Sequence, residues 1–286
     1  MSTVRTGPVI GLLVQIVMLA VLAGTVGLGV AGWLAGLAYG VILCALLSRG
    51  MTRSDASGLS PADRVTLSRA ILAGGVTALV ADSFARPEPV TLMVVLTSVA
   101  LALDAVDGYT ARRTGTTSEL GARFDMEIDS FLVLVLCLYV APTVGGWVLA
   151  IGAMRYAFVA ASWVLGWMRG SLPPRYWRKV VAAIQGVMLT VAMGDVLPGP
   201  LTTVVLVASL ALLVESFGRD IAWLWVTRHH RRALSHDALA HLGSQPSHSA
   251  PNVGVGLAGL RPSKTDGLAW PERPAVAVAR RGIARV

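Results

Sequence analysis

The sequence predicts an all-α protein, a polytopic integral membrane bundle of about eight spans, and three observations carry that prediction. Apolar residues make up 55% of the chain against 14% charged, and the mean hydropathy is +0.67. The apolar residues come in long runs, and about 20 of them cross the hydrocarbon core as one helix. Arg and Lys gather at alternate ends of these runs, as they do in cytoplasmic loops. The formal net charge of +8 is therefore assigned to membrane topology, with no nucleic-acid partner expected. Cys44 and Cys137 both fall inside apolar runs and show no metal-ligand spacing or disulfide framework, so they read as packing residues.

Residues 8–48 are almost unbroken hydrophobe, too long for one span. The GTVGLG stretch, Gly24–Gly29, supplies a turn between two. A cleaved signal peptide is the competing reading, but a second apolar run follows at once, which favours a retained hairpin. Residues 1–50 are expected to form that hairpin, 51–232 the main membrane domain and 233–286 a cytoplasmic tail.

Pro61 suits a helix start, with Asp63 and Arg64 in its first turn. Leu59, Val65, Leu67 and Ile71 are expected on lipid while Arg64 and Arg69 face headgroups, as on an interfacial helix. The third span runs from Thr66 to Phe84, and Arg86, Pro87, Glu88 and Pro89 form the next loop. The fourth, Val90–Leu103, continues as a helix through Asp104 to Arg112. Residues 114–119 turn the chain, and Gly121–Asp129 opens a fifth span that reaches Val140. Pro142–Gly146 makes another turn.

The sixth span, Trp147–Met168, holds Arg155 well inside it. An arginine there pairs with an acid or lines a polar cavity, and Glu215 on the last span is a candidate partner. Arg169, Arg175, Arg178 and Lys179 follow as a basic loop attractive to anionic groups. The seventh span is Val180–Val196, and the eighth, Leu201–Trp225, stops at the Arg228–Arg232 cluster. His229 and His230 have no metal-ligand context. From Ser235 onward the Ser, Pro, Gly and Ala content predicts a disordered tail. With eight spans the basic segments share one side and Arg86 falls opposite, which places both termini in the cytoplasm.

The chemistry concentrates between Asp104 and Asp129. Asp104 and Asp107 are spaced i, i+3, and Asp125 and Asp129 i, i+4, so each pair shares one helix face. The antiparallel turn between the two segments brings all four carboxylates together. Such acids at the margins of apolar runs are costly and repel one another unless a cation sits among them. Hard divalent cations bind through carboxylate oxygens and substrate phosphates. Gly108 and Ala111, one turn after the first two acids, and Gly121, one turn before Asp125, leave room for a bulky ligand. Arg112 offers a fork suited to phosphate. The plainer alternative is a packing face whose acids pair with Arg112, Arg113 and Arg123, but packing alone does not require four acids.

Asp104, Asp107, Gly108, Ala111, Arg112, Gly121, Asp125 and Asp129 stand in the order Asp-x-x-Asp-Gly-x-x-Ala-Arg, eight residues, Gly-x-x-x-Asp-x-x-x-Asp. This resembles the signature of the CDP-alcohol phosphotransferase (CDP-alcohol phosphatidyltransferase) family, over about residues 60 to 227. The resemblance implies a six-helix core, here preceded by the two-helix hairpin. It implies metal-dependent transfer of a phosphatidyl group from CDP-diacylglycerol to a small polar alcohol, with release of CMP, in phospholipid biosynthesis. Asp104, Asp107, Asp125 and Asp129 would bind two Mg²⁺ or Mn²⁺ ions, and Asp129 would also act as the catalytic base. Gly108, Ala111, Arg112 and Gly121 would accommodate the nucleotide. A second element of the family begins Pro-Asn-x-x-Thr-x-x-Arg and also serves the nucleotide. Pro61, Thr66 and Arg69 match it, Ala62 replaces the Asn and Asp63 departs from it, so Asp63 and Thr66 join the nucleotide set.

Arg155, Arg175, Arg178 and Lys179 are the candidate acceptor residues, and they favour a phosphorylated alcohol such as glycerol phosphate or inositol phosphate. The family also suggests a homodimer. Two other readings use the same carboxylates. A membrane prenyltransferase would carry two widely separated acid motifs, and a divalent-cation transporter would place its acids deep within spans.

Overall fold

A computed structural model describes residues 6–54, 61–87, 89–114, 119–169 and 176–243. Among them are eight α-helices and no strand, as the all-α expectation requires. They are α1 (Thr6–Val26), α2 (Val30–Ser54), α3 (Pro61–Ser83), α4 (Val90–Thr114), α5 (Glu119–Val144), α6 (Leu149–Val164), α7 (Tyr176–Met193) and α8 (Gly199–Gly243). Met1–Asp237 forms one compact unit. Of a second unit, Ala238–Val286, the described residues 238–243 are the end of α8.

Among the described residues, six segments are long and apolar enough to cross a membrane: Gly7–Val26, Val30–Arg49, Val65–Ser83, Phe124–Val144, Gly146–Val164 and Gly199–Thr227. Within α4 the described apolar stretch is Val90–Ala105. Arg178 and Lys179 dilute the hydropathy of α7. Of the expected eight spans, six are thus helices of full apolar length among the described residues, and α4 adds a shorter apolar stretch. The chain is an integral membrane protein.

α3 is the central helix. Its span is 67% buried, against 17–33% for the other five, and α1, α2, α4 and α5 all pack on it. Its sequence explains this, since Ala70, Ala73, Val76 and Ala78 present little bulk and let neighbouring backbones come close. At Gly32 of α2 a Cβ would lie 2.9 Å from the Ala78 carbonyl oxygen. The hairpin turn is shorter than expected: Gly24 remains in α1, and Gly27, at φ +76°, makes the left-handed step. The Gly29 N–H donates to Asp82 Oδ2 at 2.8 Å, and Asp82 also pairs with Arg86. The hairpin is thereby tied to the C-terminal end of α3.

Among the boundaries that differ from the sequence expectation are those of α5, α6 and α8, with α6 ending at Val164, short of Met168. α5 continues through Pro142 to Val144, and the turn falls at Gly145, φ +117°. The helix end stays satisfied because the Thr143 hydroxyl donates to the Val140 carbonyl (2.8 Å) and the Gly145 N–H to that of Ala141 (2.9 Å). α8 runs past the Arg228–Arg232 cluster and Ser235 to Gly243. Ala233, Leu234, Ala238, Leu239, Ala240 and Leu242 are strong helix formers, which extends the helix into the segment expected to be disordered. The rest of the expected tail, residues 244–286, lies outside the described residues.

α8 is joined to the bundle by side chains. Gln185 Nε2 donates to the Ser209 carbonyl and the Ser209 hydroxyl returns a bond to Gln185 Oε1, both at 2.8 Å and buried. Cys44 and Cys137 are both free, as expected. The α5 and α6 backbones come close at Gly152, where a Cβ would lie 2.6 Å from Leu134 Cα. Gly152→Val should therefore destabilise the protein by about 1–3 kcal/mol through overpacking, read as a lower Tm in detergent. An unchanged Tm would contradict the close α5–α6 contact.

Candidate active and metal site

Three helices deliver the charged site. Asp104 comes from α4, Asp125 and Asp129 from the first turns of α5, and Arg69 from α3. One oxygen from each of the three carboxylates lies within 4.8 Å of the others. Arg69 reaches all three: Nη1 contacts Asp104 Oδ1 (3.0 Å) and Asp125 Oδ1, and Nη2 contacts Asp129 Oδ1. The arginine is 2% exposed while the acids are 33–38% exposed. The guanidinium therefore approaches from inside the protein, and the carboxylates keep an open side for a ligand. Arg69 Nε is buried and has no hydrogen-bond partner among the described residues.

This corrects the expectation that Arg69 faces headgroups. The physical reason is that α3 is a packed central helix, not an interfacial one. Thr66, Arg69, Ala70 and Ala73, at i, i+3, i+4 and i+7, make a continuous buried face. Thr66 is thus beside Arg69, at 3% exposure. Asp107, Gly108, Ala111 and Arg112 lie on α4 beyond Asp104, and Asp63 in the first turn of α3, but the side chains at these positions are outside the described residues. Gly121 is in the first turn of α5.

The basic residues are dispersed. Arg155 pairs with Glu127 on α5, not with Glu215, which is held by Arg219 on its own helix. The antiparallel α5–α6 packing sets this choice by bringing Arg155 opposite Glu127. At about 100° per residue, Glu127 points about 200° away from both Asp125 and Asp129, so Arg155 is not on the carboxylate face. Arg178 pairs with the buried Asp220 of α8 at 3.4 Å, and Lys179 is exposed. Arg175 lies outside the described residues. Sequence reasoning missed the Arg69 cluster and the Glu127 partner. The signal for the first was the i, i+3 pairing of Thr66 with Arg69 in an otherwise small-residue helix.

The donor set fits a hard divalent cation: carboxylate oxygens, mutually close, open on one side and opposed by one guanidinium among the described side chains. Asp104, Asp125 and Asp129 would hold it, and α4 places Asp107 one turn from Asp104.

A family model described as CDP-alcohol phosphatidyltransferase matches residues 59–215, which include all four motif acids and Arg69. No curated protein and no solved structure matches the chain. If the acids bind a cation, Mn²⁺ at about 100 times its Kd should stabilise the purified protein by about 2.7 kcal/mol. Asp125→Asn should abolish that rise in Tm. An equal rise in the variant would move the cation elsewhere.

Proposed function

Because the chain belongs to the CDP-alcohol phosphatidyltransferase family, we propose that it moves the phosphatidyl group of CDP-diacylglycerol to a hydroxyl of a small polar alcohol and releases CMP. The observation that carries this reading is the meeting of Asp104, Asp125 and Asp129 on one open face at the ends of membrane helices. A water-soluble nucleotide and a lipid tail can both reach such a place. The family match over all four acids also favours this reading above a prenyltransferase or a cation transporter.

In the proposed reaction the acceptor oxygen bonds to the lipid-bearing phosphorus. The bond from that phosphorus to the CMP oxygen breaks, and the acceptor proton passes to Asp129. Asp104, Asp107, Asp125 and Asp129 would hold the cations. Two bound Mg²⁺ or Mn²⁺ ions would neutralise charge on the leaving phosphate and acidify the alcohol. Asp63, Thr66, Gly108, Ala111, Arg112 and Gly121 form the nucleotide side.

Between α4 and α7 an apolar groove of about 300 Å³ is lined by Val94, Ser98, Leu101, Val187, Thr190 and Val191. Leu101 is one turn from Asp104, so we place a donor acyl chain in this groove. Arg175, Arg178 and Lys179 lie at the start of α7 or just before it and favour a phosphorylated acceptor, glycerol phosphate or inositol phosphate. Arg155, engaged by Glu127, is a weaker candidate for the same role. The positive-inside charge distribution supports a cytoplasmic site and cytoplasmic termini. Residues 51–232 would be the catalytic domain, with 1–50 and 233–286 as additions, acting as a homodimer.

The test is CMP release from CDP-diacylglycerol in detergent–lipid micelles with Mg²⁺ or Mn²⁺ and single candidate alcohols. Release should depend on a phosphorylated acceptor, with the product lipid identified by mass. Folded protein that releases no CMP with any acceptor would overturn the proposal. Asp129→Asn should lower kcat by about 10²–10⁴-fold while CDP binding persists. Val191→Trp should raise the KM for the lipid donor and leave CDP binding unchanged, and an unaltered KM would move the acyl chain out of the groove.

A further inference from the structure

We propose that Arg69 is a built-in counter-cation, which holds the metal-free carboxylates together and competes with the divalent ion for them. The inference rests on the metal site described above and concerns how that site exists before it is loaded. Arg69 contacts the same three carboxylates, Asp104, Asp125 and Asp129, whose oxygens are close enough to share one ion. Each Arg69 contact falls on an Oδ1 atom, and a cation drawn to the same cluster shares these carboxylates with the guanidinium and is repelled by its charge. Binding therefore weakens or displaces the Arg69 contacts, and the apparent affinity is lowered by the fraction of protein in which the arginine holds the acids.

Burial gives the competition its direction. Arg69 is 2% exposed and enters from the protein side, while the acids are about one-third exposed and admit an ion from the other. Its Nε has no partner among the described residues, so the acids are the contacts that hold the guanidinium. Once a cation takes them, Arg69 is a buried charge in need of another anion, and truncating or stranding such a charge is costly.

The experiment uses the full-length protein in detergent, stripped with a chelator and titrated with Mn²⁺ alone, free Mn²⁺ being read by electron paramagnetic resonance. Arg69→Gln should bind Mn²⁺ about tenfold more tightly, equivalent to about 1.4 kcal/mol. Its metal-free form should melt at a lower temperature than the wild type, so Mn²⁺ should raise its Tm by a larger margin. Arg69→Lys keeps the charge but presents one nitrogen, which cannot bridge three carboxylates as a fork does. It should bind Mn²⁺ with intermediate affinity, and it decides the matter if the glutamine variant does not fold without metal. Mn²⁺ binding that is unchanged or weaker in the folded variants would overturn the inference while leaving the metal site standing. Absence of Mn²⁺ binding in the wild type and both variants would overturn the two together.

Discussion

The fold around the site depends on one electrostatic constraint: carboxylates from two helices converge, and something positive must stand among them. At an effective dielectric of about 20, two unit charges about 4 Å apart interact by about 4 kcal/mol. Uncompensated, Asp104, Asp125 and Asp129 would push α4 and α5 apart at the point where the chemistry requires them together. Arg69 supplies the compensation from α3, the most buried of the six long apolar spans. Scaffold and site are therefore the same object. The small residues that let four helices approach α3 also hold its arginine at a fixed depth.

The opposite end of α3 repeats this logic with the signs exchanged. There Asp82, 1% exposed, is satisfied by Arg86 and by the Gly29 N–H of the α1–α2 turn. A buried charge at each end of one helix is met by its neighbours, acids from α4 and α5 at one end and the hairpin turn at the other. The hairpin lies outside the 59–215 family match but is packed against the helix that carries Arg69. Its sequence explains the fit: Gly29 and Gly32 come so close to α3 that a Cβ at either would meet its atoms.

Much of this was legible in the sequence, for identifiable reasons. Long apolar runs report membrane helices directly, because the bilayer sets their length. Asp104, Asp125 and Asp129 could be paired because helical spacing and one short turn leave few other arrangements. What failed was tertiary. Arg69 was placed at headgroups because a single helix offers no sign of what packs on its polar side. Arg155 was matched to Glu215 because both looked buried along the chain, whereas helix packing offered Glu127 first and Glu215 found Arg219 four residues on. The apolar span of α8 ends at Thr227, beside the basic cluster, while the Ala and Leu content beyond it favours continued helix, which basic residues alone do not reveal.

The most direct test of the central claim is an experimental structure of the protein grown with Mn²⁺ and a CDP nucleotide, with the metal located by its anomalous scattering. The expected result is anomalous density bounded by Asp104, Asp107, Asp125 and Asp129, with the Arg69 guanidinium drawn back from the three carboxylates it contacts in the metal-free protein. Density elsewhere, or none beside these acids while the nucleotide is bound, would contradict the reading of this cluster as the catalytic metal site.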